Sequence, residues 1–395
     1  MQRISPEKMS CETDSRQDER ISLQIIEGSG GISNLDKDWD DLFARAVDAP
    51  PFLSRPWIST YIEEGRIKGI PLFILVWYGT KLVALFPLAV RKCLNVKIAI
   101  PIGTDQGSYL GLLLDSDYAF AVETMVDRIV SEKIFDVYCS MDLYSEDMAT
   151  NELLDQMVKK DHFCRRVYRN PCPCIRLGCS YEAYLEGTKS AKSRQTLRRK
   201  ERQLHKKHKV NVEYYEGDEV TSTVFDRIAS IQKESWMKRR GAAILELPFY
   251  RKLLLTMSHA GMGRVWIMTI DGADAAFVYA LVTHKKFYYA WTAFKLGYAS
   301  SLSIGQFLTN WTIRDACREG ILLYDFEHGD AEYKYFWSTD NYSVYRVVAG
   351  RGFCGSFVAG VYFVVWRLAR IKWLKDYYRR LRRKIRSLKH EVVAS

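Results

Sequence analysis

The strongest constraint on the fold is a pair of β-hairpins, one in each half of the chain. In the first half, the apolar runs 72–78 and 82–90 are separated by a three-residue turn that begins with glycine. In the second half, the runs 264–270 and 275–282 flank an Asp271-Gly272 pair, which is a common two-residue hairpin turn. Runs of this length and composition, joined by short turns, predict mostly antiparallel sheets.

Segments with helical periodicity surround both hairpins. Apolar residues recur at spacings of three and four between 34 and 48, beginning with Leu35 and Trp39. Further helices are predicted near 54, over 118–130, 148–160, after 180, over 189–209, 224–235, 248–259 and 304–320, and further strands over 135–141, 174–177, 287–293 and 321–326. The pattern predicts an α/β (α+β) chain of two lobes, each a mixed, mostly antiparallel sheet flanked by helices.

The predicted division of the chain follows these patterns. Residues 1–20 mix acids and bases without an apolar run and are expected to be a disordered lead-in without a secretory signal. The lobes are expected over 21–170 and 171–352. Residues 353–395 are expected to form an apolar segment and a basic amphipathic tail. The apolar content of 48% is sufficient for a core in each lobe.

The positive charge is concentrated in two segments. The chain has 58 Lys and Arg against 47 Asp and Glu, a formal net charge of +11. Residues 189–209 hold ten basic residues and one acid, and residues 367–389 hold eleven and one. Because the rest of the chain is net acidic, a surface that coats nucleic acid over its whole extent is excluded.

The C-terminal segment predicts a basic amphipathic helix. Its apolar run 353–366 is too short to span a membrane. Over 367–389, apolar residues recur every three or four positions among basic ones, a pattern that suits an interfacial anchor on an anionic membrane surface or a helix packed on its own lobe. Nine scattered cysteines, an odd number, favour reduced thiols in a cytoplasmic protein, peripheral on the inner face of the membrane if the tail docks there.

Residues 286–337 have the pattern strand, serine-rich loop, helix, strand. Free N–H groups and the helix dipole favour anions at the N-terminus of such a helix. Ser300, Ser301 and Ser303 are candidates to cap the helix or to contact phosphate oxygens. Asp325 lies at the end of the last predicted strand, with three more polar residues after it, and α/β sheets commonly place site residues at such a strand end.

Several stretches resemble a known family. The main ones are 179–204 (CSYEAYLEGTKSAKSRQTLRRKERQL), 297–305 (GYASSLSIG) and 324–337 (YDFEHGDAEYKYFW), with weaker matches at 52–57 (FLSRPW) and 86–92 (FPLAVRK). They resemble GNAT acyltransferases, more specifically the CelD/BcsL-like acetyltransferases of bacterial cellulose and exopolysaccharide synthesis. The chain is also similar to Fem-type aminoacyltransferases, which pair two GNAT-like lobes. The usual GNAT loop pattern is absent, and of its glycines the loop offers only Gly305.

The resemblance implies acetyl-CoA or another acyl-CoA as co-substrate and a saccharide or amine acceptor. The donor is then expected at Ser301, Ser303, Ile304, Gly305 and Gln306. No metal is expected, because the three cysteines between 172 and 179 lack a second pair at ligand spacing.

The expected catalytic residues lie close together in the sequence. Asp325 is the candidate for accepting the acceptor's proton and Lys334 for stabilising negative charge, and either Tyr333 or Tyr335 is the candidate for protonating the leaving thiolate. The alternatives are a structural hydrogen-bonding role for Asp325 and a solvated surface charge for Lys334. The residues expected to contact substrate are Arg194, Arg198, Trp57 and His328.

The sequence also fits two other functions. One is Fem-like aminoacyl transfer from charged tRNA, with the basic helix 189–209 holding RNA phosphates. The other is a non-catalytic, membrane-docked scaffold of a polysaccharide synthase complex, in which the tail carries the function and Lys334 does not.

Overall fold

A computed structural model describes residues 21–93, 95–160, 162–235, 237, 243–298 and 303–368. The predicted lead-in at 1–20 and most of the predicted basic tail lie outside these residues. Within them, the strands of both halves join in one continuous sheet of 13 strands. The predicted mixed, mostly antiparallel architecture with flanking helices is confirmed, and the two halves share a single sheet.

The strands are β1 (Ile21–Glu27), β2 (Ile70–Tyr78), β3 (Lys81–Cys93), β4 (Val96–Pro101), β5 (Leu113–Leu114), β6 (Val137–Tyr144), β7 (His162–Arg176), β8 (Val210–Glu216), β9 (Gly263–Ile270), β10 (Ala273–Thr283), β11 (Lys286–Phe294), β12 (Leu323–Asp325) and β13 (Asp340–Arg351). Both predicted hairpins are confirmed, as β2–β3 and β9–β10.

The α-helices are α1 (Asp36–Arg45), α2 (Arg55–Glu63), α3 (Ala121–Ser131), α4 (Met148–Lys159), α5 (Tyr181–Thr188), α6 (Ala191–Lys207), α7 (Ser222–Lys233), α8 (Pro248–His259), α9 (Ile304–Arg318), α10 (Glu332–Trp337) and α11 (Gly352–Leu368). Every helix predicted from periodicity up to residue 320 is present, and the basic helix predicted over 367–389 lies almost entirely outside the described residues. The helices α10 and α11 were not predicted with these bounds.

The two halves are joined by β7 and β13. The strand order is β1-β2-β3-β4-β6-β13-β7-β12-β11-β10-β9-β8, and β5 pairs with β3. The last strand, β13, lies between β6 and β7 and is antiparallel to both. The predicted lobe boundary at residue 170 falls inside β7, which runs from the first half into the second.

The largest core cluster lies on one face of the sheet and crosses from one half to the other. It holds Trp39, Phe52 and Trp57 from the first half together with Leu253 and Phe277 from the second. On the opposite face, α3 and α4 cover the first half, and α5, α6 and α9 cover the second. The halves therefore cannot be separated without exposing apolar surface.

Helix α11 packs closely on β13. A Cβ atom added to Gly350 would overlap the carbonyl oxygen of Gly355, and one added to Gly355 would lie 2.7 Å from the carbonyl oxygen of Asp136. Only glycine permits backbones to approach this closely. Over the described part of the chain, no helix combines the length and apolar character needed to cross a bilayer.

Candidate active site

The site is built where β11 and β12 separate. Their parallel ladder has three residue pairs, and the last joins Tyr288 to Asp325. Between Tyr288 and Trp291, β11 carries one residue more than β10 opposite it, which is a β-bulge. Bulges bend a strand and end its regular pairing. From residue 289 to 294, β11 has no strand partner on its β12 side within the described residues.

Asp325 is completely buried at this junction. Its Oδ1 atom accepts hydrogen bonds from the backbone N–H of Glu327 at 2.6 Å and from the hydroxyl of Tyr109 at 3.3 Å. The hydroxyl of Tyr342 donates to its Oδ2 atom. Burial raises the pKa of Asp325 to about 7, and these bonds and the nearby Lys334 only partly oppose that rise. Near neutral pH the carboxyl group can therefore take up or release a proton.

Asp325 faces a cavity of about 290 Å³ between the two halves. Four tyrosines stand in its wall, with ring centroids 4.4 Å apart for Tyr144 and Tyr342 and 6.2 Å apart for Tyr109 and Tyr288. The rest of the wall is largely apolar but includes several acidic residues and one lysine: Asp48, Glu146, Asp147 and Lys286. Such a chamber combines flat apolar surface with a few polar groups, as small-molecule sites do.

Two residues that flank Asp325 have left-handed backbones. Tyr109 has a φ of 60° and Glu327 a φ of 54°. Neither is glycine, so each conformation costs on the order of 1 kcal/mol and persists only where the surrounding structure holds it. Both residues with these conformations donate hydrogen bonds to Asp325, Tyr109 through its hydroxyl and Glu327 through its backbone N–H.

Lys334 holds the chain that follows Asp325. Its Nζ atom donates to the carbonyl oxygens of Phe326 at 2.7 Å, Glu327 at 3.2 Å and His328 at 2.9 Å. Burial lowers the pKa of Lys334, and the nearby Glu327 and Asp325 oppose that change. An ammonium group has three donors. All three are used here, so none is free for the oxyanion contact expected from the sequence.

Burial also shifts the pKa values of Glu327, His328 and Tyr333, which follow Asp325 in the sequence. Burial and the neighbouring Asp325 raise the pKa of Glu327, whose Oε1 atom is buried without a hydrogen-bond partner among the described residues. Burial, with Arg169 and Lys334 nearby, lowers the pKa of His328 to about 4, so the ring is neutral. Burial raises the pKa of Tyr333, whose ring lies 6.5 Å from Tyr289 and 6.3 Å from Phe326 (centroid to centroid).

The expected donor loop leads to the N-terminus of α9, on the other face of the sheet. Ser303 has a left-handed φ of 52° and makes no side-chain capping bond, so the capping alternative is wrong for this serine. Its Oγ atom instead accepts a hydrogen bond of 3.1 Å from Nζ of Lys200 on α6. Ile304 is buried, Gln306 borders a shallow groove beneath α6, and Ser301 lies outside the described residues.

Gly305 allows α9 to lie close to β11. A Cβ atom at this position would be 3.0 Å from the ring of Phe294. That is tighter than most real contacts, so a larger residue would displace either the ring or the helix. Close packing of α9 on β11 therefore explains why residue 305 is glycine.

The other expected substrate contacts lie elsewhere. Arg194 donates to the carbonyl oxygen of Lys189 at 2.8 Å, next to the end of α5, and Arg198 is exposed in an open groove along α6. Trp57 is a core residue on α2, between Phe52 and Tyr61, and does not line the cavity. His328 contributes its backbone oxygen to Lys334 and is also absent from the cavity wall.

Sequence reasoning missed most of the cavity wall. Tyr109, Tyr288 and Tyr342 lie far apart in the chain, and no local motif marks them. Lys200 could have been found, because it lies on the same side of α6 as Leu197 and Leu204, which pack against the core. In the described part of the chain, no group of three or more His, Cys, Asp and Glu residues is placed to hold a metal ion.

Part of the chain matches a known domain family. Residues 191–335, from α6 to α10, match the acetyltransferase (GNAT) domain family. The chain therefore contains a GNAT-type acyltransferase domain, and a domain of this type uses an acyl-CoA donor. No curated protein matches the chain.

Two solved structures share the fold over most of the chain. One is FemX, with a TM-score of 0.57 and 11% identity over 78% of this chain and 95% of that one. The other is the C-terminal domain (DUF2156) of a protein assigned as a lysylphosphatidylglycerol synthetase from Agrobacterium fabrum, with a TM-score of 0.53 and 13% identity over 83% and 95%. At such identities the likeness extends to the fold alone.

Proposed function

We propose that this protein transfers an acyl group from an acyl-CoA to a hydroxyl or amine acceptor in the cavity between its halves, with Asp325 as general base. The observation that carries the proposal is the position of Asp325. It lies where β11 and β12 separate, it faces the cavity, and burial raises its pKa to about 7. A general base is most effective when its pKa is near the working pH.

The donor side is proposed for the second half, residues 171–352. At the start of α9, backbone N–H groups and the helix dipole favour a phosphate, and Lys200 adds a positive charge beside Ser303. The open edge of β11 offers backbone hydrogen-bonding groups to an extended donor chain. That edge leads from α9 on one face of the sheet toward Asp325 and the cavity on the other.

The acceptor side is proposed for the cavity. Tyrosine rings and hydroxyls suit the apolar faces and hydroxyls of a saccharide, and the acidic groups Asp48 and Glu146 suit an amine. The resemblance to the CelD/BcsL-like family favours an acceptor in envelope, exopolysaccharide or cellulose synthesis on the cytoplasmic side of the membrane.

The proposed chemistry is direct transfer without a covalent enzyme intermediate. Asp325 accepts the proton of the acceptor hydroxyl or amine while the acceptor oxygen or nitrogen bonds to the thioester carbonyl carbon. As the carbon–sulfur bond breaks, Tyr333 donates a proton to the leaving thiolate. Its raised pKa keeps the phenol protonated at neutral pH, as a proton donor requires. Lys334 is a positioning residue that fixes residues 326–328 and thereby Asp325.

One observation favours a second function. Arg198, Arg199 and Arg202 on α6 are exposed and have no ion-pair partner in the described part of the chain. A row of free arginines suits RNA phosphates and so supports the Fem-like alternative, with charged tRNA as donor. That alternative predicts binding that weakens steeply with salt, whereas binding of a CoA thioester depends on salt far less.

The test is release of free CoA from acetyl-CoA in the presence of a panel of sugars, amino sugars and amines. With an accepted acceptor, Asp325→Asn should reduce kcat/KM by about 100-fold or more, the usual contribution of a general base. Asp330→Asn, an exposed neighbour in the same loop, is the matched control and should change the rate by less than about twofold. Equal rates for Asp325→Asn and wild type would overturn the role of Asp325.

A further inference from the structure

One side of α11 is apolar and open to solvent. Phe353 is 89% exposed and Phe357 66%, and Val361, Val364 and Leu368 continue the same side of the helix at spacings of three and four. From 353 to 366 the chain contains no charged residue. Isolated exposed apolar residues are ordinary on protein surfaces, but a contiguous stripe of this length marks an interaction site.

The other side of α11 is already in use. Gly355, Ala359 and Trp366 are buried, and the helix packs on β4, β6, β7 and β13. The helix is therefore apolar on both sides, while a helix at a protein–water boundary is normally polar on its outer side. The outer side of α11 therefore requires an apolar partner to remove it from water.

Basic side chains border this helix. Arg91 donates a hydrogen bond of 2.6 Å to the hydroxyl of Tyr362, the guanidinium of Arg346 lies 5.9 Å from the ring centroid of Trp366, and that of Arg367 lies 5.8 Å from Phe363. The next residues of the sequence, 369–389, contain ten Lys and Arg and one Asp. The apolar stripe is thus accompanied by a strong positive charge.

We propose that the exposed side of α11 docks on an anionic lipid bilayer, with the helix lying in the plane of the interface. Apolar side chains on one side with Lys and Arg at the margins are the pattern of interfacial helices. Anionic headgroups complement the basic residues, and each engaged Lys or Arg adds attraction. A second copy of the chain would bring two such basic segments together, which like-charge repulsion opposes.

The docking helix and the proposed site share a side of β13. Alternate residues of a strand point the same way, so Tyr342, Val344 and Val348 face one side of the sheet. Tyr342 binds Asp325, and Val348 packs beneath α11. The docking proposal does not depend on acyl transfer. If α11 docks on a bilayer, the proposed site lies on the same side of β13 as the docked helix.

The test is co-sedimentation of the full chain with vesicles of equal parts phosphatidylglycerol and phosphatidylcholine, and with vesicles of phosphatidylcholine alone. Wild type should bind the mixed vesicles and bind phosphatidylcholine more weakly. The triple variant Phe353→Gln, Phe357→Gln, Val364→Gln should lose at least about tenfold in partitioning, because the apolar anchors are gone. A matched triple variant at exposed apolar positions elsewhere, Ile70→Gln, Val158→Gln and Leu247→Gln, should bind as wild type does.

Three results would overturn the docking proposal. One is no binding of wild type to the mixed vesicles. Another is equal binding by the α11 variant, which would assign any membrane affinity to residues after 368. The third is a wild-type dimer without lipid affinity that the α11 variant converts to a monomer, which would assign the stripe to a second copy. Because no result uses CoA release, failure here is distinct from failure of the proposed acyl transfer.

Discussion

Tyr288 and Asp325 are partners in the last residue pair of the β11–β12 ladder, and both side chains line the cavity between the halves. The next residue of β11 begins the bulge. The chain after Asp325 turns away from β11 and is held by hydrogen bonds from Lys334. The gap between β11 and β12 therefore meets the cavity at the pair Tyr288 and Asp325. In the proposed reaction, this is where the donor carbonyl and the acceptor come together.

The rate should depend on pH through Asp325. Burial raises the pKa of this carboxyl group to about 7. A general base must be ionised, so kcat/KM should rise with pH up to about 7 and fall nearly tenfold per unit well below it. The check is CoA release measured between about pH 5 and pH 9 with buffers of constant ionic strength. Asp325→Asn should lack this rising limb, and a wild-type profile that is flat across pH 7 would contradict the assignment.

The same carboxyl group should make stability depend on pH. Its pKa is raised from 3.8 to about 7 on folding, so the unfolded chain releases this proton first as pH rises. Wild type should therefore lose stability from about pH 4 to pH 7 relative to Asp325→Asn, with the difference growing by about 2–4 kcal/mol and then levelling off. Urea unfolding of both proteins across this range tests it. A difference that does not change with pH would mean that the folded protein does not raise this pKa.

Lys334→Met should damage folding and catalysis together. The substitution leaves three carbonyl groups of residues 326–328 without their donor and should lower the free energy of unfolding by about 2–4 kcal/mol. Lys206→Met, exposed on α6, is the control and should have little effect. The measurements are urea unfolding and CoA release on the same samples. Lost catalysis with unchanged stability would favour the charge-stabilising role expected from the sequence.

Lys200→Gln should weaken donor binding. Lys200 lies at the N-terminus of α9, so its loss should reduce affinity for CoA by about three- to tenfold, mostly at low salt. Lys206→Gln on the same helix is the matched control. Calorimetric titration with free CoA compares the two. Equal affinities for both variants and wild type would place the donor phosphates elsewhere.

Local patterns in the sequence were enough to predict the hairpins and helices. The run from Pro248 to His259 and the Asp271-Gly272 turn are examples in which periodicity and turn chemistry are contained within a few residues. The strand β13 was not predicted, because its partners β6 and β7 lie far away in the sequence. The joining of the halves into one sheet depends on that strand and so could not be foreseen.

The candidate site was predictable only in part. The sequence places Asp325 at the end of a strand, where the structure also has it. In the structure Asp325 projects to the opposite side of the sheet from Tyr324 and Phe326, since both aromatic residues pack in the core beneath α9. Tyr109 and Tyr342 reach Asp325 from distant segments. No sequence pattern reveals such meetings, because they depend on tertiary packing.

The roles of the basic residues depend on where their side chains point as well as on their positions in the sequence. Spacing along α6 favours Arg194 and Arg198 as site residues, yet Lys200 is the residue that reaches the N-terminus of α9. Lys334 was expected to face substrate, but its Nζ atom is enclosed by three carbonyl oxygens. Sequence identifies a cation without showing which acceptors surround it.

The most direct test of the account is calorimetric titration of wild type with free CoA, acetyl-CoA and longer acyl-CoA thioesters. It needs no knowledge of the acceptor. If the donor is an acyl-CoA, at least one thioester should bind with micromolar affinity, and Lys200→Gln should reduce that affinity. The absence of binding across the whole panel would contradict an acyl-CoA donor and shift the assignment to charged tRNA, a carrier-protein donor or a scaffold.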